Sequence, residues 1–228
     1  MLDGFSFLLF AALLLLVQFP TRAPRAAGET VWQTFREGLQ YVRGRTLLVG
    51  LPAVSFLLNA SFAPVEMLLP GKMLALGAGE RGFGLFFGLL LGGMAAGSLL
   101  ATALGPKLKA QAASVWGMAA VGLCLLTLAL TGTALQMYVL AALLGIAIAL
   151  GNFGTGVIFQ RYVNPDYFGR VGSLISTVSM VGMPLTLLAL APVADRLSIQ
   201  TVFASSGSLC LLGAAVWARL LNRTELGI

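Results

Sequence analysis

Residues 110–160 read AQAASVWGMAAVGLCLLTLALTGTALQMYVLAALLGIAIALGNFGTGVIFQ, a run of 51 positions without a formal charge. A helix rises about 1.5 Å per residue, and about 20 predominantly apolar residues cross the hydrocarbon core of a bilayer. The run is therefore too long for one crossing and fits two, with Thr131-Gly132-Thr133 as the turn between them. Working outward, further uncharged runs cover residues 4–21, 46–65, 82–106, 171–194 and 197–218, each the length of one span. The sequence thus predicts an all-α integral membrane protein with seven transmembrane helices. Composition agrees: 58% of the 228 residues are apolar and 10% charged, and the mean hydropathy is +0.94. Soluble domains carry about 25% charged residues, so a soluble globular enzyme is excluded.

The rest of the composition removes further classes. With no histidine, zinc sites built on His, Ser-His-Asp triads and His proton relays are excluded. An intramembrane protease is disfavoured for want of a Ser-His pair or paired aspartates. Cys124 and Cys210 each sit inside an apolar run and read as small buried hydrophobes. No metal or cofactor is expected. A net charge of +6 could suggest nucleic acid, but in a membrane protein the excess reflects Lys and Arg in cytoplasmic loops. The expected partner is the bilayer, not nucleic acid.

Those charges give an orientation. With the N-terminus outside, the inner segments hold Arg22, Arg25, Arg36, Arg43, Arg45, Lys107, Lys109, Arg161, Arg170, Arg219 and Arg223, and the outer ones only Lys72, Arg81 and Arg196. The positive-inside tendency therefore predicts N-out and C-in, in the plasma membrane. Met1-Leu2-Asp3 has no positive n-region, and no small-residue cleavage site precedes Arg22. Residues 4–20 accordingly read as a span that another chain segment precedes.

Three regions result: a first span at 1–20, a polar linker at 21–45, and a six-helix bundle at 46–228. In the linker, Val31, Trp32, Phe35, Leu39 and Val42 recur at helical spacing opposite Gln33, Arg36, Glu37, Gln40 and Arg43, with Thr30 as N-cap. This predicts an amphipathic helix at the cytoplasmic membrane surface. The second span runs from Thr46 to about Leu69, and an outer loop follows at 70–81. The third carries two rows of small residues, Gly84-Gly88-Gly92-Ala96 and Gly93-Gly97-Ala101-Gly105, a pattern that lets helix backbones approach closely. Pro106 to Lys109 form a tight inner turn. The fifth span ends in Gly151-Asn152-Phe153-Gly154-Thr155-Gly156, whose spacing does not fit a phosphate loop and suggests a locally weak helix lining a cavity. In the inner loop 161–170, Pro165 and Asp166 suit the first turn of a helix. Span six follows with a mildly polar stripe, Ser173, Ser176, Thr177 and Met180, and ends at Asp195-Arg196.

Several of these stretches resemble the major facilitator superfamily, in particular its macrolide-efflux and enterobactin-exporter-like branch. The segment Pro64-Val65-Glu66-Met67-Leu68-Leu69-Pro70 is similar to the end of that branch's seventh helix, and Gly82-Phe83-Gly84-Leu85-Phe86 to its eighth. Gln160 to Val171, with a Val-x-Pro-acidic segment before Gly169-Arg170, resembles the loop between helices ten and eleven. Pro184 and Pro192 to Leu197 resemble the end of the eleventh helix. The turn at Gly105 to Lys109 departs from the pattern in lacking an acidic residue. The resemblance covers nearly the whole chain, as helices six to twelve of a twelve-helix carrier. It implies two six-helix halves with a substrate site between them near the midplane, so this chain would need a separate N-terminal half. It further implies efflux of a small amphipathic organic substrate, driven by proton antiport.

In such carriers the first and fourth helices of each half line the cavity, here spans two and five. Asn59, Phe62, Asn152, Phe153 and Thr155 on those spans, with Ser176 and Met180 on span six, are the cavity candidates. For the two amides, hydrogen bonding between helices is the competing reading. Glu66 is the carboxylate inside a span and the proton-coupling candidate, although near the outer end it could instead reach water. Arg161, Asp166, Gly169 and Arg170 are the loop residues expected to gate. Gly84, Gly88, Gly92, Gly93 and Gly97 are expected to pack helices. Two alternatives remain: a non-transporting truncated polypeptide or subunit, and a seven-span receptor. A retinal-type receptor is excluded because Lys72, Lys107 and Lys109 lie at loops.

Overall fold

The structure, a computed structural model, describes Phe10, residues 30–105 and residues 107–225. The chain divides into two compact units, residues 1–34 and 35–228. The expected first span at 4–20 lies outside the described residues, save for Phe10, which is helical. Helix α1 spans Val31–Val42. At its start Thr30 Oγ1 accepts from the Gln33 amide (3.3 Å) and Gln33 Oε1 accepts from the Thr30 amide (2.8 Å). This reciprocal box satisfies two donors that a helix start otherwise leaves unpaired.

Six further helices follow: α2 (Thr46–Ala75), α3 (Gly79–Leu104), α4 (Ala110–Leu130), α5 (Ala134–Tyr162), α6 (Phe168–Leu190) and α7 (Ile199–Glu225). All six are long and apolar enough to cross a membrane. The long uncharged run does divide at residues 131–133. There Thr133 Oγ1 caps the Gln136 amide and Gln136 Oε1 accepts from Gly132. Asn164 Oδ1 accepts from the Asp166 amide, and Pro165–Tyr167 form a 3₁₀ turn that runs into α6. Pro165 thus opens a helical segment, where its missing N–H costs nothing.

One boundary differs from the sequence reading. Helix α2 does not end near Leu69 but continues through Pro70 to Ala75, with Pro52 and Pro64 also inside it. The ring of proline fixes a φ that suits a helix, and Pro70 removes only one donor, the one facing the Glu66 carbonyl. The true stop is Gly77, whose φ of 72° is the left-handed conformation that glycine adopts freely. Ala78 donates to the Met73 carbonyl (3.0 Å) and Gly77 to Leu74 (3.0 Å), which closes the last turn. The outer loop therefore shrinks to residues 76–78, and Lys72 and Arg81, counted above as loop charges, are both helical.

Within the second unit the helices neighbour one another in the order α3, α5, α4, α7, α2, α6. Backbone proximity sets the tightest of these contacts. A Cβ on Gly93 would collide with the Ala142 carbonyl, and one on Gly145 with the Leu90 carbonyl, so α3 and α5 touch main chain to main chain. Gly97 meets Ile146 and Ala149 of α5 in the same way. Gly117 of α4 does the same against the Gly151 main chain of α5, as does Gly154 against Ser114. Gly154 thus has a packing reason, and α5 runs unbroken through residues 151–156 instead of weakening. The other row of α3 behaves differently. Among the described residues, Gly84, Gly88 and Gly92 have no heavy atom within 4 Å of a Cβ built on them. Elsewhere large side chains fill the interior, with Trp217, Phe203, Met73, Leu125 and Leu144 fully buried.

Candidate functional site

A cavity of about 310 Å³ opens between α2, α4, α5 and α6. Gly117 and Gly151, which bring α4 and α5 together, also line it and contribute no side chain to fill it. Asn59 and Phe62 reach it from α2, Asn152 and Thr155 from α5. These four of the seven cavity candidates are brought together. Phe153 is not on the wall: one residue on from Asn152, about 100° round the helix, its ring lies toward Gly105 of α3. Ser176 and Met180 are also off the wall, and Met180 is 72% exposed. Ser179, on the same helix, lines it instead.

Sequence reasoning passed over three serines on this wall, Ser55, Ser114 and Ser179. For Ser55 a signal was present, since it stands one helical turn before Asn59. Ser114 is buried and held from both sides: Trp217 Nε1 donates to its Oγ (3.0 Å), and that hydroxyl donates to the Gln111 carbonyl (2.8 Å). A pair 103 residues apart in sequence leaves no local pattern to read.

The two amides do not bridge helices among the described residues. Asn59 Nδ2 donates to the Ser55 carbonyl of its own helix (2.9 Å). The Thr155 hydroxyl donates to Gly151 (2.8 Å) and the Ser179 hydroxyl to Ile175 (2.6 Å), again within one helix. Both Asn59 and Asn152 are exposed in the bundle. An amide left in hydrocarbon without partners costs several kcal/mol, roughly 2–7 depending on the reference state. Every buried side-chain N or O among the described residues has a partner, so the unspent polar capacity of this region is gathered on the cavity wall.

Glu66 is half-buried on α2, two turns beyond Asn59 and off this wall. It forms no ion pair among the described residues. Near the same end of the bundle, Lys72 is only 6% exposed. Its Nζ donates to the carbonyls of Leu128 (2.8 Å) and Ala129 (3.5 Å) and lies 5.5 Å from the Phe203 ring centroid. Those carbonyls end α4, where a helix has no donors of its own and carries partial negative charge. Lys72 therefore clamps the end of α2 to the end of α4.

At the opposite end, residues 35–42 of α1 dock on the segment between α5 and α6. Arg45 lies over the Tyr41 ring at 4.5 Å, Tyr41 stacks on Tyr167 at 4.1 Å and 15°, and Arg170 lies 5.4 Å from the Tyr167 centroid. Arg170 Nε also pairs with Glu37 at 3.0 Å, and the Asn164 amide donates to the Tyr41 hydroxyl (3.0 Å). Gly38 permits this approach, since a Cβ there would sit 2.9 Å from the Arg170 carbonyl oxygen. With side chains 26% and 44% exposed, the ion pair contributes at most about 0.2–1 kcal/mol, and each ring contact adds a comparable amount. Of the four expected gating residues only Arg170 joins this cluster through its side chain. Arg161 and Asp166 are exposed, and Gly169 has open space around it.

Comparison with known proteins places this geometry in context. No family model matches the chain. It is 32% identical over 78 residues to macrolide efflux protein A of Streptococcus pyogenes, a stretch that covers 34% of this chain and 19% of that protein. It is 27% identical over 198 residues to YkuC of Bacillus subtilis, an uncharacterized MFS-type transporter, which covers 82% of this chain and 46% of that protein. The matches thus span less than half the length of these relatives. Together with six helices among the described residues that are able to cross a membrane, the similarity supports a multi-pass membrane protein of transporter type.

Proposed function

We propose that residues 46–225 form one six-helix half of a major facilitator carrier and that the cavity between α2, α4, α5 and α6 is its share of the substrate path. The single observation that carries this reading is the polar wall itself: two amides and a threonine with unspent hydrogen-bonding capacity, beside the Phe62 ring, in an otherwise apolar bundle. Such groups are stable in a membrane where they face water, a ligand or polar groups of another helix, and among the described residues no other helix pairs with the amides. Helix α6 buries only Val171, Leu174 and Gly182, which leaves its outer faces for lipid or for a second bundle. That second half, on the same polypeptide or another, completes the path.

The substrate is a small amphipathic organic compound exported by alternating access. The similarity to a macrolide efflux protein and to an MFS-type transporter supports transport. Glu66 is the proton-coupling residue in this reading, as a carboxylate within a membrane-length helix. The end that carries α1, Arg161 and Arg170 faces the cytoplasm of the plasma membrane, as the distribution of basic residues favours. There the Arg170–Glu37 pair and the tyrosine stack gate the inner opening.

Accumulation of a radiolabelled macrolide in cells tests this directly. Expression of the chain together with an N-terminal six-helix half should lower accumulation, and Asn152→Leu should restore it. Unchanged accumulation in the presence of the second half would mean that the chain does not transport this class. Glu66→Gln should abolish the dependence of efflux on the proton gradient.

A further inference from the structure

The polar groups of the cavity wall are not balanced between donors and acceptors. The Thr155 and Ser179 hydroxyls spend their only protons on the Gly151 and Ile175 carbonyls of their own helices. Their oxygens still offer lone pairs. Asn59 commits its Nδ2 to the Ser55 carbonyl, a bond only the nitrogen of an amide can make, so its Oδ1 is the atom left for the cavity. Ser114 has already given its proton to Gln111. Against these, the uncommitted donor protons are the two of the Asn152 amide, that of the Ser55 hydroxyl and the second of Asn59, while the Asn152 and Ser55 oxygens add further acceptors; with two lone pairs on each oxygen, acceptor sites outnumber donor protons. No Lys or Arg lines the cavity among the described residues.

We infer that this wall selects ligands by their hydrogen-bond donors: it takes amphipathic molecules that present N–H or O–H groups to Asn59 Oδ1, Thr155 Oγ1 and Ser179 Oγ, with an apolar body against Phe62. The inference rests on the cavity being the substrate site and adds the chemical class. A ligand that offers only acceptors leaves those oxygens desolvated and unpaired, and a buried polar site discriminates strongly on that ground. A donor-bearing ligand pairs them without displacing any bond within the helices. Alkylammonium groups and alcohols share this chemistry. Trimethylammonium groups and methyl ethers have the same charge or the same oxygen but no proton to give.

Equilibrium binding of four fluorescent probes to the chain combined with an N-terminal half in lipid nanodiscs separates the possibilities. The probes are a dansyl alkyl primary ammonium, its trimethylammonium analogue, a dansyl alkyl alcohol and its methyl ether. The expected result is a preference of about tenfold for the donor within at least one pair, the worth of one or two hydrogen bonds; which pair shows it tells ammonium from hydroxyl. Asn59→Leu combined with Thr155→Val should bring the ratio near one, while Thr155→Ser, which keeps the oxygen, should preserve it. Equal binding within both pairs would overturn the inference and leave the cavity as a binding site. Equal binding of the two cations, both tighter than the neutral probes, with the alcohol and its ether also equal, would show recognition of charge and would overturn it as well. Failure of all four to bind would overturn the cavity reading and the inference together.

Discussion

Helix α5 meets two opposite environments within ten residues. Gly145 and Gly154 press against neighbouring backbones with no room for a methyl group, whereas Asn152 and Thr155 face a space that no side chain fills. The difference shows how the bundle can be firm and still enclose a cavity. Where lipid surrounds the helices, apolar burial gives little drive to associate, and close backbone contact supplies it. The seam is built by leaving side chains out. The wall is built by keeping polar ones that the seam does not need.

Substitutions can break or sharpen this contrast. The largest effect is expected at the seam. Gly145→Leu drives a side chain into the Leu90 carbonyl, and overpacking of this kind costs about 1–3 kcal/mol or more. Because main chain cannot repack as a side chain does, the upper part of that range is expected. Thermal unfolding in detergent should show a clear fall in midpoint, and a neutral result would mean that α3 and α5 do not touch there. An intermediate effect is expected at Lys72, where a charge makes the seam. Lys72→Met keeps the length but leaves the Leu128 and Ala129 carbonyls without their donor, at about 1–3 kcal/mol. Amide exchange should rise at the end of α4 and not at the start of α1. The smallest effect is expected at Gly88→Ala, on the row that meets nothing. Gain of helix propensity alone gives up to about 1 kcal/mol of stabilisation. A loss as large as that at Gly145 would show that this row packs against something beyond the described residues.

The same contrast shows what the sequence made legible. The positions of the six described spans follow from charge-free runs, although α2 outruns its own, and the turns at 131–133 and 164–167 follow from residues that cap helices. Asn59, Phe62, Asn152 and Thr155 stood out as polar or bulky residues on the two helices that the resemblance assigned to the cavity, while the shares of α4 and α6 in its wall did not. Which row of small residues packs did not stand out. Gly88 and Gly93 obey the same spacing, and only the position of α5 distinguishes them. Pro70 reads as a stop, yet the chain turns only at the left-handed Gly77. Lys72 looked like a loop charge because its acceptors lie 56 and 57 residues further on. Phe153 sits next to Asn152 in sequence and a quarter-turn away in space. Long-range partners of this kind carry no local period.

The central claim is that the face of α5 carrying Asn152 is wet while its opposite face meets lipid. Single cysteines report this when Cys124 and Cys210 are replaced by alanine. Asn152→Cys, on the cavity wall, and Leu143→Cys, 48% exposed on the outside of the bundle, are treated with a hydrophilic methanethiosulfonate, which reacts with thiolate in water. The account predicts rapid labelling at 152, slowed by bound substrate, and almost none at 143. Equal resistance at both positions would place Asn152 in lipid or in packed protein and would contradict the proposed substrate path.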